Sequence, residues 1–123
     1  MFEVTIEQTF AAGHALRNYH GKCENVHGHN YRCQLTVEGN QLDATGLLMD
    51  FVLLKKALQS VIDRLDHQWL NDFPPFDELN PSAENIAKYI YDEVQKGIRA
   101  GTDVRLGCVK LWETDTSSAT YRP

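Results

Sequence analysis

The sequence has no long apolar run and no N-terminal secretory signal, and each absence excludes a class of protein. No segment approaches the roughly 20 apolar residues that a membrane span needs. Residues 1–5, Met-Phe-Glu-Val-Thr, do not form the basic region followed by an apolar stretch that marks a secretory signal. We therefore expect a soluble cytoplasmic protein without a membrane partner.

Clustered basic residues and a cysteine framework are also missing. The net charge is -5, with no run of Lys and Arg, which argues against nucleic acid as a partner because duplex binding relies on basic patches. Cys23, Cys33 and Cys108 are an odd number of cysteines, which favours reduced thiols over a disulfide framework. A phosphorylated small molecule remains compatible with this composition if a few basic groups converge locally.

The composition that is present is that of an ordinary folded domain. The chain has 123 residues, of which 42% are hydrophobic, and it contains no repeat, linker or low-complexity tract. This length is sufficient for one domain with a hydrophobic core and is too short for two stable domains. We predict a single domain over residues 1–123.

Hydrophobic periodicity predicts four strands and two helices. Alternating apolar residues indicate strands, whereas apolar residues at helical spacing after Asp50 indicate an amphipathic helix with Asp50 at its N-cap. The predicted elements are strands 2–10 and 30–38, helix 50–66, a helix beginning near 80–82 with Gly101 as its stop, and strands 104–113 and 119–122. The order ββααββ predicts an α+β fold, an antiparallel four-stranded sheet with two helices on one face. Its two open edges favour edge-to-edge assembly.

The stretch YHGKCENVHGHNY, residues 19–31, carries three of the five histidines. His27 and His29 lie two residues apart at the start of a strand, so both imidazoles point to the same side. If the first two strands pair antiparallel, His14 reaches the same end of the sheet. Three imidazoles without a fourth protein ligand suit an open zinc site, although iron, copper and nickel also accept imidazole. The alternative is a chance His-x-His pair on a solvated loop.

Groups that could transfer protons surround these histidines. Cys23 lies beside Lys22, and a nearby cation or metal would lower its pKa, whereas Cys33 and Cys108 lie within strands and are expected to pack as small apolar groups. Asp66 and His67 end the first helix, either as a carboxylate that orients a proton-exchanging imidazole or as a helix cap. Glu113 is either solvent-facing or a buried anchor for adjacent N–H donors.

Taken together, these residues resemble the 6-pyruvoyl-tetrahydropterin synthase family, and most closely its bacterial 6-carboxy-5,6,7,8-tetrahydropterin synthase branch of queuosine biosynthesis. The resemblance covers nearly the whole chain and rests on FAAGHAL, CENVHGHNY, GLLMDF, LDHQWLN, NPSAENIA and LWET, in this order. It implies the tunnelling fold, in which ββααββ subunits join edge to edge into an oligomeric barrel. The barrel is usually a hexamer made from two trimers, with active sites between subunits.

The resemblance also implies a role for each site residue. The family's zinc ligands fall on His14, His27 and His29, its base on Cys23, and its proton relay on Asp66 and His67. Its pterin anchor falls on Glu113. In the segment before the second helix, Ser82 and Glu84 fall where some relatives contact the pterin, but Ala83 lacks the hydroxyl that those relatives carry between them.

The implied substrate is 7,8-dihydroneopterin triphosphate and the implied product is 6-carboxy-5,6,7,8-tetrahydropterin, formed with release of acetaldehyde and triphosphate. The short spacing from Cys23 to His27 matches the bacterial branch rather than the branch that stops at 6-pyruvoyl-tetrahydropterin. Glu24 occupies the position of a third branch's catalytic glutamate, which yields 6-hydroxymethyl-7,8-dihydropterin for folate synthesis, so either product remains open.

Two other classes of protein also remain open. The first is a non-catalytic, oligomeric zinc-binding protein, and the second is a cupin-like oxygenase, against which two long helices argue. The triphosphate site is unassigned, with Arg17, His20 and Lys22 as basic candidates.

Overall fold

In the computed structural model, which describes residues 1–18, 25–98 and 103–123, four strands form one antiparallel sheet in the order β1-β2-β3-β4. Two helices separate the second strand from the third, so the predicted ββααββ order is confirmed. The elements are β1 (Phe2–His14), β2 (His27–Gly39), α1 (Phe51–Leu65), α2 (Ala83–Gln95), β3 (Arg105–Thr114) and β4 (Ser117–Tyr121). Within these described residues, no helix is long and apolar enough to cross a membrane.

The long hairpin of β1 and β2 determines where the two strands meet. They pair without interruption from Phe2 opposite Gly39 to His14 opposite His27. Both strands are longer than predicted: β1 ends at His14 instead of Phe10, and β2 begins at His27 instead of Asn30. Residues 11–13 are Ala-Ala-Gly and residue 28 is Gly, so the missing segments have small side chains that give almost no alternating signal.

The sheet has one apolar face, here called the inner face, that packs against the helices. Its buried side chains come from alternate residues of the strands, and they meet buried residues at helical spacing on α1 and α2. Asp50 caps α1, as predicted, by accepting a hydrogen bond from the Val52 N–H (2.8 Å). The second helix ends at Gln95, before the predicted stop at Gly101, which lies outside the described residues.

The pairing of β3 with its neighbours is irregular at two places. The register between β2 and β3 shifts between Thr36 and Val37, where Thr36 pairs with Cys108 and Val37 with Leu106. Gly107 is therefore an extra residue, a β-bulge that reverses the alternation on either side of it. A second irregularity lies between Trp112 and Thr114 and contains Glu113.

The chain that follows α1 closes one end of the β1 edge. Residues 66–69, here called the edge segment, run along the last residues of β1, with Gly13 and Trp69 forming a parallel bridge. The Gly13 N–H donates to the Gln68 carbonyl (3.0 Å), and the His67 N–H donates to the Ala11 carbonyl (2.6 Å). This pairing fixes the edge segment beside the strand that carries His14.

Candidate metal centre

Three histidines come together where β1 ends and β2 begins. His14 is the last residue of β1, and His27, the first residue of β2, is its direct partner across the hairpin. His29 follows two residues later on the same inner face. The ring centroids are 4.5 Å apart for His14 and His27, 5.0 Å for His14 and His29, and 4.7 Å for His27 and His29. The hairpin therefore gathers the three imidazoles that the sequence singled out.

Glu113 joins this cluster, which the sequence reasoning did not foresee. One ligand atom from each of the four residues lies within 4.8 Å of every other, so the group could hold a metal ion. Oε1 of Glu113 is 3.1 Å from Nε2 of His14 and 3.5 Å from Nε2 of His29. The sequence predicted three imidazoles without a fourth protein ligand, whereas the structure places a carboxylate oxygen within reach of the same point.

Hydrogen bonds assign the protons on two of the rings. Nδ1 of His14 lies 2.7 Å from the Pro81 carbonyl, and Nδ1 of His27 lies 2.6 Å from the Asn25 carbonyl. Since a carbonyl oxygen only accepts, both Nδ1 atoms carry the hydrogen, and each neutral ring has its lone pair on Nε2. Such a bond from the far nitrogen is also what orients an imidazole as a metal ligand.

The arrangement of acceptors fits a cation. Nε2 of His14 and Nε2 of His29 are buried and, among the described residues, have no hydrogen-bond partner, since the contact with Glu113 lacks hydrogen-bond geometry. Burial lowers the pKa of His29, which favours the neutral, ligating form. Buried lone pairs facing a carboxylate are costly unless a positive charge lies between them. The residues present therefore fit a divalent metal such as zinc.

Asp66 and His67 form the pair that the sequence suggested, and they also serve as the end of α1. Oδ1 of Asp66 accepts the Ala11 N–H (2.9 Å) and lies 3.0 Å from Nδ1 of His67. These contacts, with the Ala11 N–H first, lower the pKa of Asp66. His67 has a positive φ of 58°, and its side chain is 82% exposed. The carboxylate thus anchors the edge segment through Ala11 and presents the imidazole to solvent.

A cleft joins the metal cluster to this pair. Its volume is about 470 Å³, and His29 lies on one side of it while His67, Gln68 and Trp69 line the other. The floor consists of the small residues at the end of β1, including Ala12 and Gly13. A small molecule in the cleft would therefore contact both the cluster and the exposed imidazole.

The start of α2 lies next to the cluster but leaves little of Ser82 available. Oγ of Ser82 accepts the Asn85 N–H (3.2 Å) as the N-cap of the helix, whereas Glu84 in the first turn is exposed. The preceding residue, Pro81, accepts the hydrogen bond from His14. The contacts that the resemblance assigns to Ser82 and Glu84 stay predictions.

Arg17 has a structural function that weakens its candidacy for the triphosphate. Nη2 of its guanidinium donates to the carbonyls of Asn71 (3.2 Å) and Phe76 (2.8 Å), and its backbone N–H donates to Asn80 (2.9 Å). The other two candidates, His20 and Lys22, lie outside the described residues.

The cysteines fall into two groups. Cys23, the predicted base, and its neighbour Glu24 lie outside the described residues, so their roles stay predictions. Cys33 and Cys108 are buried free thiols, in keeping with the packing role expected of them, and burial raises the pKa of Cys33 to about 12.

Comparison with known proteins gives consistent matches over almost the whole chain. Residues 3–123 match the family model for 6-pyruvoyl tetrahydropterin synthase. The 6-carboxy-5,6,7,8-tetrahydropterin synthase of Bacillus subtilis is 36% identical, over 99% of this chain and 86% of that protein. The human 6-pyruvoyl tetrahydrobiopterin synthase is 40% identical, over 83% of this chain and 71% of that protein. The structure of the Caenorhabditis elegans 6-pyruvoyl tetrahydropterin synthase superposes with a TM-score of 0.85 at 29% identity and covers 100% of this chain and 97% of that one.

Proposed function

The chain belongs to the 6-pyruvoyl tetrahydropterin synthase family, and on that basis we propose that it is a zinc-dependent 6-carboxy-5,6,7,8-tetrahydropterin synthase. Its substrate is 7,8-dihydroneopterin triphosphate, and its products are 6-carboxy-5,6,7,8-tetrahydropterin, acetaldehyde and triphosphate. The main supporting observation is the cluster of His14, His27, His29 and Glu113, whose member His29 lines the same cleft as His67. The match to the Bacillus subtilis enzyme over 99% of the chain supports this choice within the family. In the cell the protein would act in the cytoplasm in queuosine biosynthesis.

The three histidines would hold the zinc ion through their Nε2 atoms. A zinc ion at this position supplies Lewis-acid polarisation of the hydroxyl and carbonyl oxygens on the substrate side chain. The hydrogen bonds from Nδ1 of His14 to Pro81 and from Nδ1 of His27 to Asn25 orient both rings for this purpose.

Proton movements fall to Cys23 and to the pair on the edge segment. Cys23 would remove protons from the side-chain carbons, and His67 would deliver or accept them at its exposed nitrogen, Nε2. Asp66 holds Nδ1 of His67 at 3.0 Å and thereby fixes the direction in which the ring presents Nε2. Glu113, with Ser82 and Glu84, would bind the amino and ring N–H groups of the pterin.

We further propose that copies of the chain join edge to edge into a barrel of three or six subunits. β1 and β4 are the two edges of the sheet, and within residues 1–18, 25–98 and 103–123 the edge segment covers the last residues of β1. Open edges of this kind are normally paired or blocked. Light scattering coupled to size-exclusion chromatography measures the oligomer mass, and a monomer would contradict the barrel.

The test of the reaction is incubation of the zinc-loaded protein with 7,8-dihydroneopterin triphosphate, followed by measurement of acetaldehyde and identification of the pterin. We expect 6-carboxy-tetrahydropterin and acetaldehyde in equal amounts. The similarity to the human protein makes 6-pyruvoyl-tetrahydropterin the second candidate product, and its formation without acetaldehyde would favour that activity. No turnover would refute the catalytic proposal and leave a zinc-binding protein.

Cys23 and Glu24 separate the two cleavage routes. We expect Cys23→Ala to abolish 6-carboxy-tetrahydropterin formation. If Glu24 supports a second route, Glu24→Ala removes 6-hydroxymethyl-7,8-dihydropterin from the products and leaves 6-carboxy-tetrahydropterin. An unchanged product pattern in Glu24→Ala would exclude a role for this residue.

A further inference from the structure

The distances around Glu113 match those between ligands of one metal ion. Around a tetrahedral zinc ion with bonds of about 2.0–2.1 Å, neighbouring ligand atoms lie about 3.3 Å apart. Oε1 of Glu113 is 3.1 Å from Nε2 of His14 and 3.5 Å from Nε2 of His29. A charged hydrogen bond from an imidazole would instead be about 2.7–2.9 Å long and well aligned. Both distances are those expected within one ligand set, and the His14 contact lacks the alignment of a good hydrogen bond.

Nothing else in the described part of the chain holds this carboxylate. Apart from its contacts with His14 and His29, no side chain in residues 1–18, 25–98 or 103–123 forms an ion pair with it, and its side chain is 24% exposed. It extends from the irregular stretch of β3 between Trp112 and Thr114, outside the regular ladder. Such a side chain can leave the cluster without breaking an ion pair to any other described residue.

We propose that Oε1 of Glu113 is the fourth protein ligand of the metal in the substrate-free protein and leaves the metal when the substrate's oxygen atoms arrive. The resting site is then closed by four protein ligands, instead of being the open three-histidine site expected from the sequence. The predicted contact between Glu113 and the substrate begins only after this release. The coordination part rests on the proposed metal site alone, and the release part rests on the proposed pterin substrate as well.

Cobalt substitution with azide as a probe tests the coordination. Co²⁺ reports changes in its ligands through its visible absorption, and azide binds wherever a position is open. We expect azide to leave the spectrum of the wild type unchanged at concentrations that shift the spectra of Glu113→Gln and Glu113→Asp, because neither variant closes the fourth position. The control is Glu3→Gln, which makes the same change in charge at an exposed residue near the start of β1 and should behave as the wild type.

Zinc affinity gives a second readout of the coordination. Loss of an outer-shell partner typically weakens metal binding about 10–100-fold, so loss of a ligand should raise the Kd of Glu113→Gln by at least about 100-fold. Circular dichroism of the metal-free variants verifies their folding, and Glu113→Asp provides a second test if Glu113→Gln does not fold. An azide response in the wild type equal to that of the variants, or a Kd for Glu113→Gln within tenfold of wild type, would overturn the inference. Failure of the wild type to bind Co²⁺ would overturn both the inference and the metal site.

Release is tested by adding 7,8-dihydroneopterin, which carries the side-chain hydroxyls without the triphosphate. A change in the Co²⁺ spectrum of the wild type supports release. A change in Glu113→Gln alone would overturn it, because the carboxylate would then block the pterin rather than yield to it. A change in neither protein would count against the pterin substrate and not against the coordination.

Discussion

Two glycines that face each other across the hairpin should respond in opposite ways to a single added methyl group. Gly13 on β1 pairs directly with Gly28 on β2. A Cβ at Gly13 would lie 3.0 Å from Cε3 and 3.4 Å from Cζ3 of the Trp69 ring, whereas the nearest atom to a Cβ at Gly28 is the Ala12 carbonyl oxygen at 3.7 Å. Neither glycine has a positive φ, so the backbone itself tolerates alanine at both positions.

The expected magnitudes follow from these contacts. Replacing glycine by alanine in a compatible conformation stabilises a protein by about 0.4–1 kcal/mol through the unfolded chain. Overpacking costs about 1–3 kcal/mol, and here the Trp69 ring would have to shift by a few tenths of an ångström. We therefore expect Gly13→Ala to lower the free energy of unfolding by about 1–2 kcal/mol, as a net of these two effects. Gly28→Ala should be unchanged or up to about 1 kcal/mol more stable.

Urea unfolding of both variants at one protein concentration measures the difference, and hydrogen exchange locates it. In Gly13→Ala the amide of residue 13, which donates to the Gln68 carbonyl, should exchange faster, while amides of β3 keep their wild-type rates. Because Trp69 and His67 line the same cleft, turnover should fall in this variant. Equal stability of the two variants would refute the packing of the edge segment against β1.

Four further outcomes can be measured on the same protein. Zinc at 100 times its Kd should raise the free energy of unfolding by about 2.7 kcal/mol, and His14→Ala should lose this gain, as followed by thermal unfolding with and without a chelator. Tyr31→Phe should raise the stability of the metal-free protein by about 1 kcal/mol, because its buried hydroxyl has no partner among the described residues, and a loss of stability in urea would contradict this. Arg17→Lys should lower the free energy of unfolding by about 1–3 kcal/mol, because hydrogen bonds to backbone carbonyls are lost, and should leave the KM for the triphosphate substrate unchanged. A raised KM would indicate that Arg17 binds the substrate. Because the pKa of Asp66 is lowered in the folded protein, its ionised form stabilises the fold above the ordinary carboxyl pKa, and this contribution disappears as the pH falls through the lowered value. Asp66→Asn should therefore narrow the difference between the urea midpoints at pH 7 and pH 3. An unchanged difference would contradict this contribution of Asp66.

The fold could be predicted from the sequence wherever large side chains repeat with a clear period. Alternation on the first two strands and helical spacing after Asp50 were sufficient for the order and type of the elements. The same signal failed at residues 11–13, where Ala-Ala-Gly has nothing to alternate, although backbone pairing with β2 and with the edge segment keeps this stretch extended. Burial of large side chains can be inferred from sequence, whereas backbone pairing of small residues cannot.

The site divides in a similar way. The meeting of His14, His27 and His29 follows from hairpin topology and a two-residue spacing, both of which the sequence contains. The face on which Glu113 lies depends on which residues of β3 alternate inward, and the bulge at Gly107 reverses that alternation. Alternation counted across the bulge therefore does not predict the face of Glu113. The resemblance identified Glu113 as a site residue but not its contact with the imidazoles, which only the folded chain shows.

The edge segment also limits how far any other strand can pair along β1. The N–H and C=O of Ala11 and the N–H of Gly13 are already bonded to residues 66–68, so by alternation the outward groups still available are those of Glu3, Thr5, Glu7 and Thr9. A neighbouring copy could therefore extend along β1 only as far as the residue before Ala11. Its strand would have to end, and its chain to turn away, beside the cleft that holds His67. The hydrogen bonds that hold the edge segment, and with it Asp66 and His67, against β1 would thus limit which residues of a second subunit can lie beside this cleft.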